Sequence, residues 1–151
     1  MSRQYTITTE GEEALAAATA ETVVQARGTT ATKAKCFGFG VSMDSTSASA
    51  EPALVQVMRQ TTDGTASAAT EAKWDADDPA AGVTGFHTFT AEPTSGEVLR
   101  EFELHPTGVP YSEERSLGRE WVMDDAATSR IGIKVTAPAA VNVTAWLDIE
   151  E

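Results

Sequence analysis

Residues 130–151 read RIGIKVTAPAAVNVTAWLDIEE, and this closing stretch alternates apolar and polar side chains with the period of two typical of half-buried β-strands. The alternating apolar positions are Ile131, Ile133 and Val135 in the first run, then Val141, Val143, Ala145, Leu147 and Ile149 in the second. A short Pro-Ala-Ala segment, residues 138–140, separates the two runs. We therefore predict two central strands folded back on each other as a hairpin.

The same alternation recurs upstream, in RQYTITT, KAKCFGFGVSM, ALVQVMRQ and GEVLREFEL. In KAKCFGFGVSM, the pattern places Phe37, Phe39, Val41 and Met43 on one face and Cys36, Gly38 and Gly40 on the other. The small residues of the second face would let another group lie close against it. Clusters rich in Asp, Gly, Ser, Thr and Pro separate the runs, as in MDSTSASAEP at residues 43–52.

These runs and turns predict an all-β, single-domain protein, either an antiparallel β-sandwich or a jelly-roll-like barrel of about eight to ten strands. Residues 1–9 would form an N-terminal strand or arm, and residues 10–151 the β-sandwich domain. One segment leaves two alternatives open, because GEEALAAATAE at residues 11–21 is rich in the helix formers Ala and Glu. It would form either a short helix or an extended segment leading to ETVVQAR, and sheet context commonly overrides helix propensity.

Composition excludes several classes of partner. The 151 residues carry 11 Lys and Arg against 23 Asp and Glu, a formal net charge of −12 that repels phosphate backbones and anionic membrane surfaces. We therefore expect neither a nucleic acid nor a membrane as partner. The single cysteine, Cys36, rules out an intrachain disulfide, and the opening MSRQYTITTE lacks the apolar stretch of a signal peptide, so we expect synthesis in the cytoplasm.

The candidate catalytic and metal-binding residues are sparse. His87 and His105 have no second His or Cys at a metal-ligand spacing, and we interpret them as a partly buried packing residue and a strand end, respectively. Asp75, Asp77 and Asp78 superficially resemble a calcium loop, but the run WDADDP lacks the glycine and the distant glutamate of an EF-hand. We therefore expect no metal.

Motifs of nucleophilic or phosphate chemistry are also missing from the sequence. It contains no Gly-x-Ser-x-Gly elbow, and its FGFG glycines lie within a strand pattern instead of between a strand and a helix. We expect no catalytic residue and no cofactor. Trp146 alternates with Leu147 and Ile149, so its side chain should lie on the opposite face of the last strand. It would pack under a loop or second sheet, or anchor a subunit contact, since aromatic residues concentrate in interface cores.

Four stretches carry a resemblance to a known group of proteins. They are YTITTEGEEALAAATAETVVQ at residues 5–25, FGFGVSMDSTSASAEPALVQVMRQTTDGT at 37–65, AEPTSGEVLREFELHPTG at 91–108 and the closing stretch itself. Together they resemble small β-sandwich structural proteins of tailed bacteriophages, including capsid decoration, or cement, proteins. The resemblance implies a homotrimer that binds the major capsid protein on the outer surface of the virion and stabilises the shell. It implies no site residue.

Two further functional classes stay open. One is a phage tail or baseplate module that binds carbohydrate, which an elongated aromatic-lined cleft would favour. The other is a hydrolase built from scattered acids, which would need a deep pocket with perturbed carboxylates.

Our interface candidates are Arg3, Tyr5, Ile7 and Trp146. The first three belong to RQYTITTE, which could add as an edge strand to a neighbouring subunit, where main-chain hydrogen bonds supply affinity. The alternative is that this stretch forms a strand of its own sheet.

Overall fold

The computed structural model describes residues 2–30, 33–44 and 51–151, and every regular element in these ranges is a β-strand. The strands are β1 (Gln4–Thr8), β2 (Glu13–Leu15), β3 (Ala20–Arg27), β4 (Ala34–Asp44), β5 (Ala53–Gln60), β6 (Thr65–Ala69), β7 (Glu71–Lys73), β8 (Thr84–Ala91), β9 (Ser95–Leu104), β10 (Tyr111–Glu114), β11 (Trp121–Met123), β12 (Arg130–Thr136) and β13 (Val141–Glu150). Residues 45–50 of the predicted turn at 43–52 lie outside the described residues. Within the described ranges, no helix is long and apolar enough to span a membrane.

The strands form two antiparallel sheets that pack face to face, which confirms the predicted β-sandwich. The seven-stranded sheet has the order β10-β4-β13-β1-β7, with β11 also beside β4 and β2 also beside β13, and the six-stranded sheet has the order β6-β8-β3-β12-β5-β9. The described residues contain 13 strands, more than predicted, because β2, β7 and β11 have only three residues each. Segments that short cannot show a periodic pattern.

The closing stretch does not form the predicted hairpin. Both of its strands are central, as expected, but β12 pairs with β3 and β5 in one sheet, whereas β13 pairs with β4, β1 and β2 in the other. Ala137 to Ala140 therefore connect the two sheets, and the apolar stripes of β12 and β13 both line the core. A hairpin and a connection between sheets require the same alternation, so the sequence pattern does not distinguish them.

The N-terminal stretch belongs to the chain's own sheet. β1 pairs along one edge with β13 and along the other with β7, and the side chains of Tyr5 and Ile7 are buried in the core. The hypothesis of an edge strand added to a neighbour is therefore wrong for this fold, because neither edge of β1 is free. In the 11–21 segment the extended alternative is confirmed, since β2 and β3 flank a turn at Ala18, whose φ is +57°.

A β-bulge changes the predicted faces of β4. Across from β13, Gly38 pairs with Asp148 but Cys36 pairs with the next residue, Ile149, so Phe37 is the extra residue of the bulge. Beyond this point the alternation reverses. Cys36 therefore lies in the core although it was predicted to share a face with Gly38, and Phe37 leaves the core face on which Phe39 remains.

On each long side of the sandwich, two consecutive strands lie at the edges of the two different sheets. β6 and β7 form the edges of different sheets on one side, and β9 and β10 do so on the other. On the second side, Phe102 of β9 packs on Tyr111 of β10 with ring centroids 4.4 Å apart, and Phe39 contacts both. These aromatic pairs hold the two sheet edges together.

Candidate functional site: an aromatic face on the seven-stranded sheet

The outer side of the seven-stranded sheet carries three aromatic residues, Phe37, Trp74 and Trp146, which we call the aromatic face. Trp146 projects from β13 opposite Gly40 of β4. A Cβ atom at Gly40 would lie 2.0 Å from Cζ2 of the indole, so the ring rests directly on the backbone of the neighbouring strand. The prediction that small residues of β4 admit a close neighbour is thereby confirmed. Trp146 is half-buried, and part of its ring faces solvent.

Phe37 and Trp74 meet across the same side of the sheet. The bulge turns Phe37 outward, and its ring contacts Trp74 edge to face, with centroids 5.6 Å apart and an angle of 73° between the planes. Trp74 follows β7, and its Nε1 donates a 2.8 Å hydrogen bond to Oγ1 of Thr6. Its side chain is nevertheless 54% exposed. A large apolar ring that is oriented by a hydrogen bond yet exposed is suited to bind a partner.

A buried carboxylate lies on this side of the sheet. Asp148 is only 8% exposed, and it accepts a 2.6 Å hydrogen bond from Oγ1 of Thr6. Gly38 makes room for it, since a Cβ there would lie 2.7 Å from Oδ2. Burial raises the pKa of Asp148, as does the nearby Glu114, while hydrogen bonds from Thr6 and Trp146 oppose the rise. Thr6 therefore links Asp148 to Trp74, and Trp146 contacts the same acid directly.

A hydrogen-bonded turn between β10 and β11 adjoins the aromatic face. It begins beside the bulge, where the Arg115 amide donates a 2.7 Å hydrogen bond to the Phe37 carbonyl. Nε of Arg115 donates to the Arg119 carbonyl at 2.6 Å, and the guanidinium of Arg115 lies 4.2 Å from the centre of the Trp121 ring. At the tip Leu117 is 90% exposed, between the two arginines. A leucine held in solvent by a preorganised turn loses little conformational freedom on binding.

A shallow depression of about 240 Å³ lies beside Trp74. Ser2, Gln4, Asp75 and Asp78 complete its lining. The three aspartates of WDADDP form ordinary turn contacts, since the amides of Asp77 and Asp78 both bond to Asp75. Within residues 2–30, 33–44 and 51–151, no group of three or more His, Cys, Asp and Glu side chains is placed to hold a metal ion.

The structure separates the four predicted interface residues. Trp146 lies on the aromatic face, and Arg3 is exposed at the start of β1, where its backbone pairs with Glu151. Tyr5 and Ile7 are in the core and cannot contact a partner while the sheet is intact. An interface role for Arg3 and Trp146 stays a prediction.

Three members of the site were missed from the sequence, namely the exposed Trp74 and Leu117 and the half-buried Phe37. Phe37 was placed on the same face as Phe39 because the bulge gives no sequence signal, and Trp74 follows a strand too short to recognise. Leu117 did carry a signal, since a leucine before a glycine in the turn ERSLGRE has no place in a core. Exposed apolar residues in turns thus merit attention as contact sites.

His87 lies away from the aromatic face, between β8 and the acids near β2. Its Nδ1 is 3.2 Å from Oε1 of Glu13, and its Nε2 is 3.7 Å from Oε2 of Glu10. Thr88, with a φ of +51°, donates from its amide and its hydroxyl to the same Glu13 oxygen. In a hydrolase triad the nucleophile and the acid contact different nitrogens of the histidine. Here the Thr88 hydroxyl and the Glu13 carboxylate both contact Nδ1 of His87, so these three residues do not have the arrangement of a triad.

Comparison with known proteins adds little. No protein-family model matches the chain, and no curated protein is significantly similar to it in sequence. Among solved structures, it matches a chain in the structure of infectious bursal disease virus, Gx strain, with 16% identity and a TM-score of 0.26. The match covers 99% of this chain and 42% of that one, so this chain spans about two fifths of the other's length. A TM-score of this size does not establish a common fold, and we infer nothing about function from it.

Proposed function

We propose that this chain is a bacteriophage virion structural protein, a capsid decoration protein that binds the outer surface of the shell and stabilises it. The observation that carries the proposal is the aromatic face together with the exposed Leu117 tip beside it. The resemblance of the sequence to phage β-sandwich proteins supports the choice of partner, the major capsid protein. The chain would be made in the host cytoplasm, end on the outer capsid surface and need no catalytic group.

The physical basis of such a role is burial between proteins. Exposed Trp side chains are favoured at the energetic centres of interfaces, where they bury a large apolar area at a small cost in conformational entropy. Trp74 and Trp146 are presented by one rigid sheet, so binding would not have to order them first. A partner that contacts only the assembled shell stabilises it by mass action.

A homotrimer would strengthen this effect. Identical subunits commonly assemble with closed symmetry, and linked copies bind neighbouring capsid subunits at a high effective concentration. Modest affinity at each aromatic face would then suffice for high occupancy.

Co-sedimentation with capsids that lack the protein tests the proposal. Trp74→Ala and Leu117→Ser each remove an exposed side chain, so both should fold normally and bind capsids more weakly. Val109→Ser is the matched control, because it also replaces an exposed apolar side chain with serine. Val109 lies before β10, whereas Leu117 follows it, so the two side chains are at opposite ends of that strand. If all three variants decorate capsids as well as the wild type, the aromatic face is not the capsid-binding surface.

The depression beside Trp74 favours one other function, the binding of a saccharide by a tail or baseplate module. Asp75 and Asp78 supply hydrogen-bond acceptors next to an exposed indole, as a sugar site requires. The outer face shows a shallow hollow and not an elongated cleft, so we rank this function second. Trp74→Ala would then abolish binding to host-surface glycans while Leu117→Ser would leave it unchanged.

A further inference from the structure

A second pocket lies at the end of the sandwich where β5 ends and β12 begins. Its volume is about 370 Å³, and its lining includes Arg59, Arg130, Thr61, Asp124, Thr128 and Ser129. None of these residues belongs to the aromatic face.

Arg130 is a buried arginine with unused donors. Its side chain is 8% exposed, its Nε ion-pairs with Asp63, and its Nη1 donates to the carbonyls of Thr128 at 2.8 Å and Thr61 at 3.4 Å. No described residue accepts a hydrogen bond from Nη2. No buried side-chain nitrogen in the described part of the chain lacks a partner, so Nη2 is not fully enclosed, and we infer that it opens into the pocket that Arg130 lines.

Arg59 contributes donors from the opposite strand. Its Nη1 donates to the Val122 carbonyl at 3.1 Å, and its Nε faces the exposed carboxylate of Glu97 at 3.6 Å. A guanidinium carries five N–H donors in a planar fork. Within the described ranges its Nη2 has no acceptor, so Arg59 and Arg130 both retain donors at the same pocket.

The charges around the pocket are unusual for so acidic a chain. Two arginines, Arg59 and Arg130, and a single acid, Asp124, line the pocket in a chain whose net charge is −12. Asp63 is held by Arg130 and Arg27, and the hydrogen bond from Arg130 lowers its pKa. Asp124 also lines the pocket, but it is exposed and ion-pairs with Lys33 at 3.8 Å.

We propose that this pocket binds an oxyanion, a carboxylate or phosphate group, between the guanidinium groups of Arg59 and Arg130. Arginine is suited to the task because the unused Nη2 group of each guanidinium can donate charge-assisted hydrogen bonds to such an anion. The hydroxyls of Thr128 and Ser129 also line the pocket and can donate to the ligand. The site is independent of the proposed binding to capsids, so either proposal can fail without the other.

Amide NMR titrations of the full chain with inorganic phosphate and with succinate test the proposal. Ionic strength is held constant with chloride, so that unspecific screening is common to all samples. We expect saturable shifts in residues 59–63 and 124–130. Binding of phosphate alone, succinate alone or both identifies the oxyanion, and saturation by neither overturns the proposal.

Arg59→Gln should weaken the saturable binding about tenfold or more, because charge-assisted hydrogen bonds are lost. Arg119→Gln removes the same charge from the turn beside Leu117 and should change nothing. If Arg59→Gln does not fold, Arg59→Lys takes its place, since it keeps the charge but loses the fork and should still weaken binding. Unchanged affinity in the folded Arg59 variant would refute the site.

Discussion

The contact between Trp146 and Gly40 gives the sharpest test of how the aromatic face is built. Gly40 is not among the described glycines with a positive φ, so alanine is compatible with its backbone. The added Cβ would nevertheless lie 2.0 Å from Cζ2 of Trp146, and it would displace the ring. Overpacking of this kind costs about 1–3 kcal/mol, and we expect Gly40→Ala to lower the free energy of unfolding by that amount.

The effect of Gly40→Ala on the free energy of unfolding should change sign once the Trp146 ring is removed. Trp146→Ala alone should cost about 2 kcal/mol, less than the loss of a fully buried tryptophan, because Trp146 is only half-buried. In that background the Cβ at position 40 meets no ring. Alanine is also intrinsically better than glycine within a strand, by about 0.5–1 kcal/mol, so Gly40→Ala should now stabilise the protein.

Urea unfolding of the four proteins, followed by circular dichroism, measures this coupling. Ser112→Ala is the control, because Ser112 is exposed and pairs with Gly40 from β10, and its effect should stay within about 0.5 kcal/mol. If Gly40→Ala has the same cost with and without Trp146, the two residues are not in contact and the described geometry of the face is wrong.

Three further predictions concern the rest of the molecule. Burial raises the pKa of Asp148, so the folded state holds that proton more tightly, and stability falls as pH rises from the usual aspartate range through the raised pKa. Urea unfolding at a series of pH values should show this fall for the wild type and not for Asp148→Asn, and an identical pH profile for the two proteins would contradict the prediction. Burial also raises the pKa of Cys36 to about 12, so a disulfide reagent should label it only on unfolding, and rapid labelling of the native protein would oppose this. We expect a homotrimer, so light scattering should give a mass of three times 15.9 kDa. A chain that is monomeric on the virus particle itself would refute this prediction.

The fold class could be predicted from the sequence, but the connections between strands could not. Alternation in the closing stretch correctly indicated two central strands, because a strand buried on one face must present an apolar side chain at every second residue. Which sheet each strand joins depends on partners far away in the chain. β13, for example, lies between β4 and β1 in its sheet. The β1 strand, which pairs along one edge of β13, is more than a hundred residues upstream in the sequence.

The site was only partly predictable for a related reason. Trp146 was identified because it departs from the apolar stripe of β13, and Gly40 because glycines are unusual within a strand. Phe37 was misplaced because it is the extra residue of a bulge, which breaks the alternation between Phe39 and Cys36, and no residue type marks it. The pocket at Arg59 and Arg130 joins residues 71 positions apart, and only the register of β5 against β12 brings them together.

Quantitative mass spectrometry of purified virus particles tests the central proposal most directly. Particles are produced from a genome that encodes this chain, and the copy number of the chain is compared with that of the major capsid protein. A capsid decoration protein should be present at a copy number comparable with that of the shell subunit, and it should remain bound through gradient purification. A few copies per particle would place the chain in the tail, and its absence from purified particles would contradict a structural role in the virion.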